Sequence, residues 1–493
     1  MPRPRRASVL ATLAAFLLAG ATAFGHPAPP ALGAARAHRY PWGPGKPSGK
    51  VHTTRITDGL WLTRIVQKKV PRRIFVLTVD LATALTADVA LSNDSIPGFE
   101  RPTSMAKRHG AIAAINGDFG LGSGRPAHSF AEDGDLKQTQ FAFGQETAVT
   151  QDDKQVYMAA PHVTVTATEV GSGQSWAVDR FNDGPPQSGE LAGFSAPGGS
   201  LEDPPSYSCW ARLLPVGSPL WADPQPGVSR DYSVSDAGCT QSAPALQGGV
   251  VLAAAPGSDE AIALLSLSLG ETVRLTWSFG WPGILDAIGG IPMLVRDGAN
   301  AVTTCTSYFC RGPHPRTGIG VTADGKLLLV VVDGRKAKYS LGMSLPQFAG
   351  LFLQLGAVRA VNQDGGGSSL MWVKGQGIVN KPSDGQERAV SSAFLILPGP
   401  DPGDPLGPLG TPSPSPSPTP TPTPTAAPGS AAPVPGPGVG APGPGSPGVA
   451  AELDPGSTGG MLDALARGDL GPHGPLPEAL RMELRRFRSK QGR

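Results

Sequence analysis

Neither sign of charge dominates this chain: 41 lysines and arginines stand against 39 aspartates and glutamates, for a formal net charge of +2. The overall balance therefore indicates no nucleic-acid partner and no anionic membrane, and any ionic contact has to be read locally. Charged residues make up only 16% of the 493. Long apolar runs are missing as well. The run at 9–18 follows Arg3, Arg5 and Arg6 and precedes Ala21-Thr22-Ala23. It is shorter than a membrane span needs, and its flanks have the layout of a secretory signal peptide. No cysteine follows it, which argues against a lipoprotein anchor.

Cysteine is scarce too. Four occur, and an even count in an exported chain favours disulfides over metal. The spacing suggests Cys305 with Cys310 and Cys209 with Cys239, although three pairings satisfy the count. Zinc would want clustered Cys and His, and the eight histidines are scattered. A nucleotide-type phosphate loop is absent: Gly365, Gly366 and Gly367 are consecutive, but no Lys-Ser/Thr follows them. Nor is there a contiguous calcium loop, because Asp133-Gly134-Asp135 is too short a match.

Glycine and proline are plentiful, at 66 and 53, and their distribution divides the chain. Residues 1–25 read as the signal peptide and 26–50 as a flexible leader without periodicity. Residues 51–398 read as one catalytic domain. A Pro/Ser/Thr/Gly-rich linker, extended in polyproline fashion, follows at 399–455. In the basic tail, 456–493, Leu480, Leu484 and Phe487 share one helical face among arginines. Such a tail suits docking on an anionic wall polymer or membrane surface, and equally suits a solvated end.

Within the domain, β-branched content predicts strands at 74–80 and 85–91, and an apolar run without alternation predicts a strand at 111–115 covered on both faces. A short helix is expected at 103–109, capped by Thr103 or Ser104 and ended by Gly110. Residues 317–321, the turn Asp324-Gly325 and the unbroken run 327–332 predict a hairpin with a buried second strand. Ser344 and Gln347 form a capping box opening a helix whose apolar face is Phe348, Leu351, Phe352 and Leu355, with Gly356 closing it. From about 120 to 290 short strand-like runs alternate with polar turns, as in an inserted β-rich region. Trp176, Trp210 and Trp221 there suit either sugar stacking or an ordinary core. The fold class expected is α+β: a mixed twisted sheet flanked by helices, with a β-rich insertion and a disordered proline-rich tail.

The stretch 356–394 organises the rest. A strand delivers Asn362 and Asp364 to the glycine triplet, Ser368 and Ser369 follow, and a second strand at 370–373 reads as returning. The next loop gathers Asn380, Asp384 and Arg388 before the apolar run 393–397. Glycines at such a turn can aim their N–H groups at one anion, and the bland alternative is a tight hairpin.

The segments NQDGGGSS at 362–369 and VNKPSDGQERAVSSAF at 379–394, HPRTGIGVTADGKLLLVVVDGR at 314–335, and AAINGDF at 113–119 resemble, in order along the chain, blocks of the phosphodiester glycosidase family. Gln363 stands where an apolar residue is usual, and Asp118 where glycine is usual. The resemblance implies hydrolysis of a sugar joined through its anomeric carbon to a phosphodiester. With residue chemistry it assigns Asp364 and Asp333 as the acid/base pair and Arg316 as principal phosphate ligand, assisted by Arg388 or Arg335. Substrate contacts would come from Asn116, Gly117, Thr317, Asn362, Gly365, Gly366, Gly367, Ser368 and Asn380. Guanidinium forks suit a phosphate, and crowded carboxylates raise one pKa so that one can act as acid. No cofactor is firmly implied; calcium or magnesium bridging phosphate and Asp364 fits the hard oxygens. Composition and the proline stalk look like a secreted or cell-envelope protein of a high-GC Gram-positive bacterium, acting on a wall or capsule glycophosphopolymer. Two other readings remain open here: a non-catalytic glycan-binding protein of the envelope, and an ordinary glycosidase acting on a phosphate-free glycan.

Overall fold

The computed structural model describes residues 48–139, 146–151, 155–160, 162–195, 208–216, 229–239, 249–278 and 284–401. The signal peptide, most of the leader, Trp221, nearly all of the linker and the basic tail lie outside the described residues.

The expected α+β fold with a mixed, helix-flanked sheet is overturned. Strand accounts for 49% and helix for 12% of the described structure. The central sheet has eight strands in the order Lys50–Thr57, Leu60–Gln67, Arg72–Val79, Leu327–Val332, Arg316–Thr322, Ala357–Asn362, Met293–Arg296 and Ala299–Asn300. Each neighbouring pair in it is antiparallel. One face is closed by a second sheet, not by helices. That sheet runs Gly377–Ile378, Met371–Val373, Ala113–Asn116, Ser392–Pro398, Leu85–Leu91, and the two share a core that includes Leu77, Val89, Ile115, Ile319, Val331, Val361 and Phe394. A buried run such as 327–332 is therefore covered by a sheet on one side, which its lack of alternation could not distinguish from a helix.

The other face carries the helix Leu345–Gln354. Its capping box forms as the sequence predicts, with Ser344 and Gln347 reciprocally bonded, and Gly356 at φ 89° ends it. Phe348 and Phe352 pack on Val330 and Ala360. The helix comes close because Gly318 and Gly320 lie beneath it: a methyl on either would overlap the ring of Phe348 or Phe352. The run Thr317-Gly318-Ile319-Gly320 thus turns side chains toward the second sheet and bare backbone toward the helix. The predicted hairpin also forms, with Arg316 opposite Val332 and Gly325 at φ 80°.

The early helix spans Pro102–Arg108, but Arg101 precedes it without a side-chain cap. Thr103 instead bonds the carboxylate of Glu387 through both its N–H and its hydroxyl, each at 2.7 Å. The helix is thereby tied to the loop after the glycine triplet.

Residues 130–290 supply two more sheets. One has five strands in the order Asp135–Gln138, Phe130–Glu132, Ile284–Gly290, Glu146–Gln151, Gln155–Ala159. The other has eight, and in it Cys209 sits opposite Cys239 and is bonded to it. Cys305 is bonded to Cys310, so both expected pairings form. Trp210 is buried and Trp176 packs against core residues of the same sheet, which places both in the packing of the insertion.

Candidate functional site

The strand after the glycine triplet does not return beside the strand before it. Ala357–Asn362 belongs to the central sheet, whereas Met371–Val373 pairs with Ala113–Asn116 in the second sheet. Residues 363–370 are thus a crossover between sheets, which excludes the plain hairpin. Gly366–Ser368 forms a 3-10 turn, with Gly366 at φ 63°. The crossover is fastened on both sides: Gln363 N–H donates to the Thr317 carbonyl at 2.9 Å, Gly366 N–H to Pro315 at 3.1 Å, and Asp364 N–H to Gly117 at 3.1 Å. Asn116 is the central clasp. Its amide donates to the Asp364 carbonyl at 2.8 Å, and its Oδ1 accepts from Thr317 Oγ1 at 2.8 Å and Leu370 N–H at 3.0 Å. The three sequence blocks meet here.

Asp364 is 4% exposed, and its Oδ1 accepts the Gly365 N–H at 2.8 Å. Its carboxyl is pushed up from 3.8 to about 7, first by burial; the Ser368 hydroxyl, the Arg388 guanidinium and the Gly365 amide pull it back, and Asp118 pushes it further up. A carboxyl in that range exchanges its proton at neutral pH, as general acid–base chemistry requires. Arg388 lies directly on Gly367, where a methyl would overlap both its guanidinium and the Asp384 carboxylate. It donates to Asp384 Oδ2 through Nε at 3.0 Å and Nη2 at 2.5 Å. Arg335 is exposed, with Asp384, Arg388, Tyr308 and Asp364 as its electrostatic neighbours. It holds φ at +60°, a left-handed conformation that costs a non-glycine residue about 1 kcal/mol and is characteristic of functional sites.

Beside Asp364 lies a pair that sequence reasoning missed. Asp118 Oδ1 accepts from His128 Nδ1 at 2.8 Å and from Phe119 N–H at 2.7 Å, and Oδ2 accepts the His128 N–H at 2.9 Å. The Ser392 hydroxyl oxygen accepts from Asp118 N–H at 3.1 Å. With the carboxylate accepting, the ring proton sits on Nδ1, and Nε2 is left buried without a protein partner. Both polar atoms of the Gln363 side chain, and Asn362 Oδ1, are buried without partners in the same way. A methyl on Gly289 would overlap His128 and one on Gly290 would overlap Gln363, so adjacent glycines seat these two side chains. Unpartnered buried polar groups cost about 1–3 kcal/mol each and call for an explanation such as a ligand.

Residues 232–397 match the phosphodiester glycosidase family. The chemistry of that family is hydrolysis of phosphodiester glycosides. The matched span contains Arg316, Asp333, Asp364 and Arg388; Asn116, Asp118 and His128 precede it. A 104-residue stretch is 42% identical to the SPbeta prophage-derived uncharacterized protein YomE of Bacillus subtilis (strain 168), covering 21% of this chain and 16% of that protein. A hypothetical protein from Synechocystis superposes with a TM-score of 0.57 at 19% identity, over 71% of this chain and 64% of that one. A Burkholderia pseudomallei K96243 protein named as exported gives 0.51 at 22% identity, over 66% and 74%. At these identities the two structures show a shared fold.

Other residues expected at the site are engaged in bonds within the protein. Asp333, buried, accepts from Asn380 Nδ2 at 3.1 Å, Lys381 N–H at 3.0 Å and the Tyr339 hydroxyl at 3.1 Å. Asn380 is fully engaged, since it also donates to the Ser369 carbonyl at 3.0 Å and accepts from Met371 N–H at 2.9 Å. Burial raises the Asp333 carboxyl, and the charge that moderates it is Lys336. Arg316 is 0% exposed. Its Nε donates to the Met343 carbonyl at 2.9 Å and its Nη2 to Phe309 at 2.6 Å and Gly312 at 3.2 Å, with the guanidinium 5.2 Å from the Phe309 ring centroid. It occupies the helix-facing side of its strand with Gly318 and Gly320, whereas Thr317 faces Asn116. The Gly365 and Gly366 amides bond within the protein, so these two do not form the expected anion nest. Thr317 and Gly117 serve the crossover, and the Asn362 amide donates to the Ile291 carbonyl at 2.8 Å. A cavity of about 320 Å³ lined by Ile56, Asp58, Ile112 and Lys374 lies at the opposite end of the second sheet and belongs to none of this.

Proposed function

We propose that this chain is an exported hydrolase that cleaves a sugar-1-phosphodiester, drawn from a bacterial cell-envelope or extracellular glycophosphopolymer. The observation that carries the reading is Asp364: a buried carboxyl with its proton poised near neutrality, beneath Arg388 and Arg335, inside the span that matches the family. Disulfides and a structural neighbour named as exported support an extracellular setting.

In this reading Asp364 exchanges the proton at the anomeric bond, and Arg388 with Arg335 holds the phosphodiester charge. The second acid/base group is the Asp118–His128 pair, in place of the Asp333 that the resemblance implies. Ser368 tunes Asp364. Asn116, Thr317 and Gly117 position it, Asp333 and Asn380 clamp the following loop, and Arg316 anchors the approach to the central strand through carbonyls. Asn362, Gln363 and His128 turn polar atoms toward the substrate.

The test is hydrolysis of a synthetic sugar-1-phosphodiester in isotopically labelled water. Carboxyl chemistry at the anomeric carbon puts the label on the sugar and releases a phosphomonoester. Label on the phosphate, or binding without any product, overturns the proposal; the latter outcome makes the chain a glycan-binding protein.

A further inference from the structure

The inserted five-stranded sheet and the second sheet meet at a group of acidic side chains that the chemistry at Asp364 does not use. Asp88 lies on Leu85–Leu91, whose Ala87, Val89 and Leu91 fill the inter-sheet core, so its own side chain points the other way. It is 1% exposed, and neither of its carboxylate oxygens has a hydrogen-bond partner. Glu132 comes from the inserted sheet and His109 from the residue ending the helix Pro102–Arg108; their ligand atoms and that of Asp88 all lie within 4.8 Å of one another. Asp286, Asp401 and Asp133 add their charges to the same place. The nearest cations make their ion pairs with other carboxylates, Arg108 with Asp94 and, at 3.1 Å, Glu100, and Lys137 with Asp135 at 3.1 Å, and they act on Glu132 only through their charge. Asp88 has no hydrogen bond and only the His109 ring facing it at 3.5 Å, and a carboxylate so held at this depth is costly unless an ion joins it.

We propose that Asp88 and Glu132 are the anchoring ligands of a hard divalent cation of the calcium type, held at the seam between the second sheet and the insertion. The oxygen preference follows from His109. Its Nε2 receives Arg108 Nη1 at 2.9 Å, and a guanidinium can only donate, so the ring hydrogen sits on Nδ1, 3.5 Å from Asp88 Oδ2. The imidazole therefore presents a hydrogen to the centre, and the carboxylates supply the ligands. That selects calcium over zinc. The short acidic turn Asp133-Gly134-Asp135, inadequate by itself as a calcium loop, follows Glu132 directly, and its missing ligand arrives from a different sheet as Asp88. Bound there, the ion ties the insertion to the sheet that carries Asn116.

The experiment uses the full chain. After equilibration with calcium and desalting, elemental analysis counts bound metal, and melting is followed in chelator and in about 1 mM calcium. The wild type is expected to retain one calcium per chain and to melt about 3 °C or more higher with it. Asp88→Asn loses both effects while melting no lower than wild type in chelator, because it removes an uncompensated buried charge. Glu132→Gln repeats the loss should Asp88→Asn fail to fold, and His109→Gln and Asp364→Asn keep the calcium shift. A wild type that retains no calcium and shows no shift overturns the proposal, with the carboxylates then sharing protons. So does a shift that survives Asp88→Asn and Glu132→Gln, or one that disappears with Asp364→Asn.

Discussion

The side-chain amide of Asn116 donates to the main-chain carbonyl of Asp364 at 2.8 Å, across 248 positions of sequence. The same side chain accepts from Thr317 and Leu370, so one residue sets the height of the crossover against both sheets. Asn116→Asp keeps the shape and the acceptor but turns the donor into a second acceptor facing a carbonyl. It is expected to lower kcat/KM on a sugar-1-phosphodiester about 100-fold through misplacement of Asp364, with melting reduced by only a few degrees. Unchanged kinetics would mean that the crossover holds its place without Asn116.

Asp364 also predicts a pH dependence of stability. Its proton is held to about 7 in the folded chain against an ordinary 3.8. Between about pH 4 and 7 the folded state binds more protons than the unfolded state, so this group's contribution falls as pH rises and levels off above 7. Asp364→Asn removes that dependence. Urea unfolding from pH 4 to 8 should show the variant gaining on wild type by up to about 4 kcal/mol, the equivalent of roughly three pKa units. A difference independent of pH would place the Asp364 carboxyl in its ordinary range.

Arg388 and Arg316 should behave oppositely. Arg388→Gln is expected to weaken binding of the phosphodiester tenfold or more with melting nearly unchanged, because the residue is partly exposed and pairs with a likewise partly exposed Asp384. Arg316→Met leaves the carbonyls of Met343, Phe309 and Gly312 without their donor in a fully buried setting. A loss of about 3 kcal/mol in unfolding free energy follows. A stable Arg316→Met protein that no longer binds substrate would restore Arg316 as the phosphate ligand.

The disulfides separate by loop length. Cys209–Cys239 closes a separation of 30 residues and Cys305–Cys310 one of 5, so chain entropy assigns them about 4 and about 2 kcal/mol. Replacing each pair by alanines and measuring denaturant midpoints checks the order. A larger loss at Cys305–Cys310 would show that the short loop matters through the helix Tyr308–Arg311 and its carbonyls on Arg316.

Elements whose signal is local were legible in the sequence. The Ser344–Gln347 capping box, the Asp324-Gly325 turn, the Gly356 stop and both cysteine pairs rest on spacing over a few residues or on compositional context. The sheet order was not legible, because the unbroken runs at 113–116 and 327–332 say that both faces are covered without saying by what. The crossover is illegible for the same reason: a strand, three glycines and a strand look alike whether the second strand turns back or changes sheet. At the candidate site, Asp364 and Arg388 are proposed from residue chemistry together with the resemblance. Asp118 drew notice as a departure from it, but His128, ten residues on, meets Asp118 only once the intervening turn is folded.

The most direct test of the account is turnover of a chromogenic sugar-1-phosphodiester by wild type and Asp364→Asn between pH 5 and 9. The account predicts wild-type hydrolysis with a limb in kcat/KM near pH 7, and a loss of about a thousandfold in the folded variant. A variant that stays within tenfold of wild type across that range would contradict it.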